Sequence, residues 1–484
     1  MKRKTLGFLQ KGLVFLAAAC LFLSGCRMTG EEPSETTEPY EEVSASTIKA
    51  PKYIFLFIGD GMGYSQLQLT ADYLGLSETG EKKPNALSFF SFPVTGNLET
   101  GNAESFCTDS ASAATAIATG TKTKTGVLGL DADGNRLESI SEKLKEQKDF
   151  RIGMISTVNL NHATPAAFYA HQSSRTLYYE IGGELLASGY DFLAGGTLLE
   201  TAGKNQSRVS LYALAEQTGY QLAWGFPKNP LPTGAGKVWL TASKTDAKGA
   251  LPYQLDGCGD FSLANCVKEA IPVLENDQGF FLMVEAGKID WACEANDARS
   301  MIGEIEELDS AVQEAVRFQK QHPEETLILV TGDHETGGLS IGNRENGLKT
   351  HLEVLAGQQI SFARYEEEFI PQYRKQNMDF SSVQTELVEW FGIGEGGLSL
   401  AEEEWEQLKQ AYEATLLSTE SSRTPLIQAV RDLIAGKAGI GWTTGQHSGE
   451  PVPVFALGVG AEKFSGWQDN TDVFRHLADL TGVR

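Results

Sequence analysis

Four apolar runs, far apart in the chain, each lead to residues able to hold a cation. Tyr53-Ile54-Phe55-Leu56-Phe57-Ile58 stops at Gly59-Asp60-Gly61. Arg151-Ile152-Gly153-Met154-Ile155-Ser156 leads to His162 and Thr164, Gly279 to Val284 leads to Glu285, and Thr326 to Val330 leads to Asp333-His334. A run that is apolar at successive positions suits a strand covered on both faces. Between the runs lie helical patterns, such as Ile302, Ile305, Val312 and Val316 within Met301 to Lys320. This alternation predicts an α/β fold, a mainly parallel central sheet with helices on both faces. Ligands bind beyond the carboxyl ends of strands in such sheets, where Asp60, Glu285, Asp333 and His334 fall. A fifth run, Val452 to Val459, follows His447 instead of preceding it.

The N-terminus reads Met-Lys-Arg-Lys, then an apolar stretch from Leu13 to Leu23, then Ser24-Gly25-Cys26. That order predicts a secretory signal over residues 1–25. With a cysteine placed after small residues it resembles a bacterial lipoprotein signal, and that resemblance implies cleavage before Cys26, an acylated Cys26 thiol and a chain anchored to a bacterial membrane outside the cytoplasm. The apolar stretch falls short of the roughly 20 residues of a spanning helix. Residues 26–50 carry six glutamates among Ser, Thr and Pro, a composition that predicts a disordered tether to the domain over 51–484.

The formal charge is −24, and removing residues 1–25 takes away Lys2, Arg3, Lys4 and Lys11 but no acid, leaving −28. So acidic a body is a poor partner for nucleic acid or an anionic membrane, and the lipid anchor is the expected membrane contact. Cys107, Cys258, Cys266 and Cys293 remain in the exported chain, and Cys258 with Cys266 encloses a short loop that could close as a disulfide. No Cys-x-x-Cys occurs, which argues against a thiolate zinc site. Residues 343–440 lack strand-like runs and hold the polar helix opening Glu402-Glu403-Glu404-Trp405-Glu406. They read as a helical insertion forming a cap at the rim of the site, between Asp333-His334 and His447.

Ser110 lies in Thr108-Asp109-Ser110-Ala111-Ser112-Ala113-Ala114-Thr115-Ala116. Ser and Asp are ordinary helix caps, but a helix N-terminus also presents free N–H groups to an anion. A serine hydroxyl needs a base or a metal to become a nucleophile. The scattered Asp, His and Glu clusters offer metal ligands in place of a Ser-His-Asp triad.

Over most of residues 51–342 and 441–465 these motifs resemble the alkaline phosphatase family. The resemblance implies hydrolysis of small phosphate monoesters with Ser110 as the residue that becomes phosphorylated, Asp109 beside it in a supporting position. Asp60 would bridge a zinc and a magnesium, and Asp333 with His334 would complete the zinc that activates Ser110. Thr164 and Glu285 with Asp60 supply the hard oxygens that magnesium prefers. His162 is then a partner of that metal's water, and Trp291 stands where family members carry Lys, His or Trp. Arg175 takes the place of an arginine that grips two phosphate oxygens, a bidentate contact suited to guanidinium.

Asp290 and His447 match two ligands of a second zinc, but Glu294 stands where the family usually has histidine. A carboxylate can still bind zinc, and two carboxylates with one imidazole turn the preference toward a harder divalent ion. The expected cofactors are two zinc ions, the Glu294 site open to another divalent ion, and one magnesium. A homodimer is among the assemblies the resemblance admits. The competing readings are a phosphodiesterase or sulfatase of the same superfamily, and a lipoprotein that binds phosphate or metal without turnover.

Overall fold

Every residue of strand β1 (Tyr53–Gly59) is buried, because helices cover both of its faces. Tyr53, Phe55 and Phe57 point into one core with the helix Ala298–Gln319, and Ile54, Leu56 and Ile58 point into the other with the helix Ser110–Thr119. The computed structural model describes residues 49–82, 87–229, 231–259, 261–394, 398–418 and 424–484. The expected signal, Cys26 and the tether as far as residue 48 lie outside them. No helix among the described residues is long and apolar enough to cross a membrane.

The other strands are β2 (Val94–Glu99), β3 (Arg151–Asn159), β4 (Phe192–Gly196), β5 (Gln221–Trp224), β6 (Val238–Thr241), β7 (Phe280–Ala286) and β8 (Thr326–Gly332). After them come β9 (Glu335–Thr336), β10 (Leu339–Ile341), β11 (Ile440–Trp442), β12 (His447–Ser448), β13 (Val452–Gly458) and β14 (Gly466–Asp469). The main sheet runs β14-β2-β13-β8-β1-β7-β3-β4-β6-β5. All its pairings are parallel except those of β13, which runs antiparallel to both β8 and β2. The expected mainly parallel sheet is therefore present.

The reversed strand explains why His447 precedes its apolar run. The start of β13 lies at the carboxyl end of β8, with Val454 opposite Thr331. A residue just before an antiparallel strand thus reaches the same edge as residues just after parallel ones. The small β9–β12 ladder then sets His447 opposite Thr336.

Residues 343–440 are helical, with helices Phe362–Gln376, Phe380–Phe391, Glu402–Leu417 and Pro425–Ala438 closed off by the β10–β11 pair. Phe362, Tyr365, Leu387 and Val430 continue the core around the helix Ala298–Gln319. Buried Asp297 fastens the insertion, accepting from Gln358 Nε2 (2.8 Å) and the Phe362 N–H (2.9 Å). The insertion reaches the edge of the site where Arg431 Nη1 donates to the Ala295 carbonyl (2.6 Å), one residue beyond Glu294. The disulfide that the Cys258–Cys266 spacing left open is not formed. Both thiols are free: Cys266 is packed in the core from the helix Leu263–Leu274, and Cys258 Sγ turns to Gln254 Oε1 (3.0 Å).

Candidate active site

The site is assembled at the carboxyl edge of β1, β3, β7 and β8. Gly59 and Gly332 are paired across β1 and β8, so Asp60 and Asp333 leave the sheet side by side. Gly61 follows with φ +74°, and a Cβ there would lie 2.9 Å from both Asp290 Cα and Thr336 Oγ1. Only glycine fits so close an approach with that backbone. Its N–H donates to Asp333 Oδ1 (3.1 Å). Glu285 pairs with Ile58 of β1 and Ser156 of β3, and the Ser156 hydroxyl donates to Glu285 Oε2.

His334 is the hub. Its Nε2 lies 3.3 Å from Asp60 Oδ1, 3.6 Å from Asp333 Oδ2 and 3.3 Å from Ser110 Oγ, while its Nδ1 faces Thr336 Oγ1 at 3.2 Å. In a Ser-His-Asp triad the acid holds the nitrogen remote from the serine. Here both acids converge on the same nitrogen as the serine, which is the arrangement of ligands around a shared ion. Beside it, His447 donates from Nδ1 to the Thr108 carbonyl (2.8 Å), leaving Nε2 free 3.6 Å from Asp290 Oδ1. A histidine fixed through one nitrogen and open at the other is set up to ligate metal.

Ser110 is the first residue of its helix and Asp109 the cap, whose Oδ1 accepts from the Ser112 N–H (3.1 Å) and the Gly126 N–H (3.1 Å). The first N–H groups of that helix have no intrahelical acceptor. Arg175 Nη1 donates to Asp109 Oδ2 (3.0 Å) and its Nη2 to His162 Nε2 (3.1 Å). His162 Nδ1 lies 3.9 Å from Glu285 Oε1. The Trp291 ring meets His162 edge-on, with centroids 6.2 Å apart.

Buried oxygens without a donor reveal what is needed here. Both carboxylate oxygens of Asp60, Oδ2 of Asp333, Oε1 of Glu285 and Oγ1 of Thr164 are buried and accept no hydrogen bond. Burial, reinforced by neighbouring carboxylates, holds Asp60 and Asp333 well above the ordinary Asp range. Burial also pushes His334 well below the ordinary His range, so its imidazole is neutral. Crowded acids with orphaned oxygens beside a neutral imidazole are the complement of divalent cations. Three sets of donors each lie within 4.8 Å of one another: Asp60, Asp333 and His334; Asp290, His334 and His447; and Asp60, His162 and Glu285.

The structure thus brings together Asp60, Ser110, Asp109, His162, Arg175, Glu285, Asp290, Asp333, His334 and His447, with Trp291 at the edge. Thr164 is buried in the short helix after His162 with its hydroxyl unpartnered. Glu294 is exposed and belongs to none of the three donor sets. Although much of the side chain is exposed, the loss of water around its carboxylate, and then the Asp290 charge, raise it to about 7 despite His447, Lys248 and Arg175. Sequence reasoning missed Thr336, which joins Asp290 Oδ1 (2.5 Å) to His334, and the Ser156 hydroxyl on Glu285. Thr336 stands two residues after His334, where a side chain can fold back on it, but a single threonine carries no pattern.

A buried serine at a helix N-terminus, facing a cluster of carboxylate and imidazole donors able to hold divalent ions, is the layout of a metal-dependent hydrolase. The alkaline phosphatase family model matches residues 51–191 and 246–483, and the chain belongs to that family. It is 31% identical to alkaline phosphatase 4 of Bacillus subtilis, over 98% of this chain and 97% of that one. A cold-active alkaline phosphatase from the psychrophile Shewanella sp. superimposes with a TM-score of 0.76 at 28% identity, covering 89% of this chain and 99% of that one. A variant of the TAB5 alkaline phosphatase, solved with magnesium bound, gives a TM-score of 0.64 at 25% identity, covering 90% and 99% of the two chains.

Proposed function

We propose that the protein hydrolyses phosphate monoesters to an alcohol and inorganic phosphate, with Ser110 as the nucleophile and a phosphoserine as the intermediate. The observation that carries this reading is the convergence of Ser110 Oγ, Asp60 and Asp333 on one nitrogen of His334, deep in the structure. The donor sets fit divalent cations. Asp60, Asp333 and His334 would hold the zinc beside Ser110, and Asp290, His447 and Glu294 would hold a zinc or a harder ion. Asp60, Thr164 and Glu285 would hold magnesium, with His162 against its water. Bound there, such ions lower the pKa of a coordinated hydroxyl or water and neutralise charge on entering and leaving oxygens.

The residues of the chain do the positioning. Arg175, held by Asp109 and His162, would grip the phosphoryl oxygens through its guanidinium, and the first N–H groups of the Ser110 helix would add hydrogen bonds to them. Ser110 attacks phosphorus in line, the P–O bond to the alcohol breaks, and the alcohol leaves with a proton. Water then breaks the phosphoserine in a second displacement, restoring the Ser110 hydroxyl and releasing phosphate. Two inversions give overall retention at phosphorus.

By this reading the chain is an extracytoplasmic enzyme held to a bacterial membrane through a lipid on Cys26. Turnover of an aryl phosphate monoester, diester and sulfate by the metal-loaded protein tests the reaction class. The monoester should lead by orders of magnitude, and a lead by diester or sulfate overturns the assignment.

A further inference from the structure

The segment between β6 and β7 contains a turn that delivers a lysine to the edge of the site. Asp246 Oδ1 accepts from the N–H groups of Lys248 (2.9 Å) and Ala250 (2.9 Å), and Asn159 Nδ2, at the end of β3, donates to the Lys248 carbonyl (3.1 Å). Gly249 has φ +75°, and a Cβ there would lie 2.3 Å from the Thr197 carbonyl, so no other residue fits the turn. The other oxygen of Asp246 lies 3.4 Å from Lys288 Nζ, a lysine whose side chain is only 4% exposed. The turn is fixed from three directions, yet the Lys248 side chain it presents is exposed.

That ammonium has a definite address. Lys248 Nζ lies 4.8 Å from the centroid of Trp291, whose ring meets His162, the partner of Arg175. Trp291 directly follows Asp290 on the helix Lys288–Glu294. With 64 acidic residues against 40 basic ones in the sequence, carboxylates to pair with are plentiful. Even so, no ion pair joins Lys248 to an acid among the described residues. A cation resting on an aromatic face keeps its outer side open to an anion, and an ammonium acts as a point charge without angular demands.

We propose that Lys248 and Trp291 form a subsite for a second anionic group, carboxylate or phosphate, on the alcohol portion of the ester. Substrates carrying such a group are then favoured over neutral phosphate esters. This rests on the phosphomonoesterase reading above, because the subsite borders His162 and, through it, Arg175, the residue that reading sets against the phosphoryl group.

Kinetics of the metal-loaded enzyme with 3-phosphoglycerate and glycerol 3-phosphate, which differ by a carboxylate, test it. The ratio of their kcat/KM values should favour 3-phosphoglycerate in the wild type and fall roughly fivefold in Lys248→Gln, through KM more than kcat. Lys248→Arg should keep the preference, and added salt should erode it in the wild type. An unchanged ratio in Lys248→Gln, or a preference indifferent to salt, overturns the subsite and leaves the phosphomonoesterase reading standing. Turnover of neither ester by the wild type overturns both.

Discussion

The imidazoles of His334 and His447 stack with centroids 3.6 Å apart and planes inclined by 19°, although the whole helical insertion separates them in sequence. Their Nε2 atoms address different carboxylates, His334 those of Asp60 and Asp333, His447 that of Asp290. Two neighbouring candidate cation sites therefore share a wall of stacked rings. The proximity of the two proposed ions follows from the β9–β12 pairing that sets His447 opposite Thr336.

His447→Ala should remove one wall of this pair and one ligand. Metal analysis after gel filtration should show loss of about one divalent ion per chain, with kcat/KM falling at least roughly a hundredfold. Full metal content in the variant would contradict the assignment.

Glu294 tests how far the family pattern holds in this chain. Glu294→His should raise retention of zinc relative to magnesium at the Asp290 and His447 site, read by competitive metal loading, because imidazole replaces a hard anionic donor. Identical retention of both metals in the variant and the wild type would place Glu294 outside the coordination sphere.

Arg175→Ala should leave the fold intact but free Asp109 and His162 from their guanidinium partner. The expected loss is about 2–4 kcal/mol of transition-state stabilisation, with weaker inhibition by inorganic phosphate. Arg175→Lys should recover only part, since an ammonium cannot make the bidentate contact. Full activity in either variant would remove Arg175 from the phosphate site.

A pH effect on stability should arise away from the metals. Burial lowers the His171 pKa, but contacts with Glu142 (3.4 Å) and Glu184 (3.2 Å) outweigh it and raise it to about 9. A raised folded-state pKa contributes stability that is full below the ordinary value near 6.5 and is lost as pH climbs through about 9. The contribution is at most about 3 kcal/mol. Urea midpoints of the wild type and His171→Gln should differ most near pH 6 and converge by about pH 10. A gap that is constant with pH would show that His171 is not held as the imidazolium.

The sheet was legible because β1, β7 and β8 are buried on both faces and so are written as unbroken apolar runs. Asp60, Glu285, Asp333 and His334 were legible for the same reason, as each stands at or just beyond the end of such a run. His447 and Ser110 could be placed only through the family resemblance, since one precedes an antiparallel strand and the other opens an Ala-rich helix that looks merely capped. The supporting contacts were not legible. Thr336 on His334, Ser156 on Glu285 and Lys248 on Trp291 join residues through tertiary packing, which leaves no period or motif in the chain. The Cys258–Cys266 spacing left the disulfide open, because loop length says nothing about which way a thiol on a helix faces.

Chemical capture of the intermediate tests the central claim most directly. The metal-loaded enzyme, mixed with an aryl phosphate at mildly acidic pH, quenched in acid and digested, should carry phosphate on the peptide spanning Ser110, with the label absent from Ser110→Ala. Turnover of the monoester with no phosphate ever found on Ser110, together with inversion at phosphorus in a chiral phosphate assay, would contradict the account.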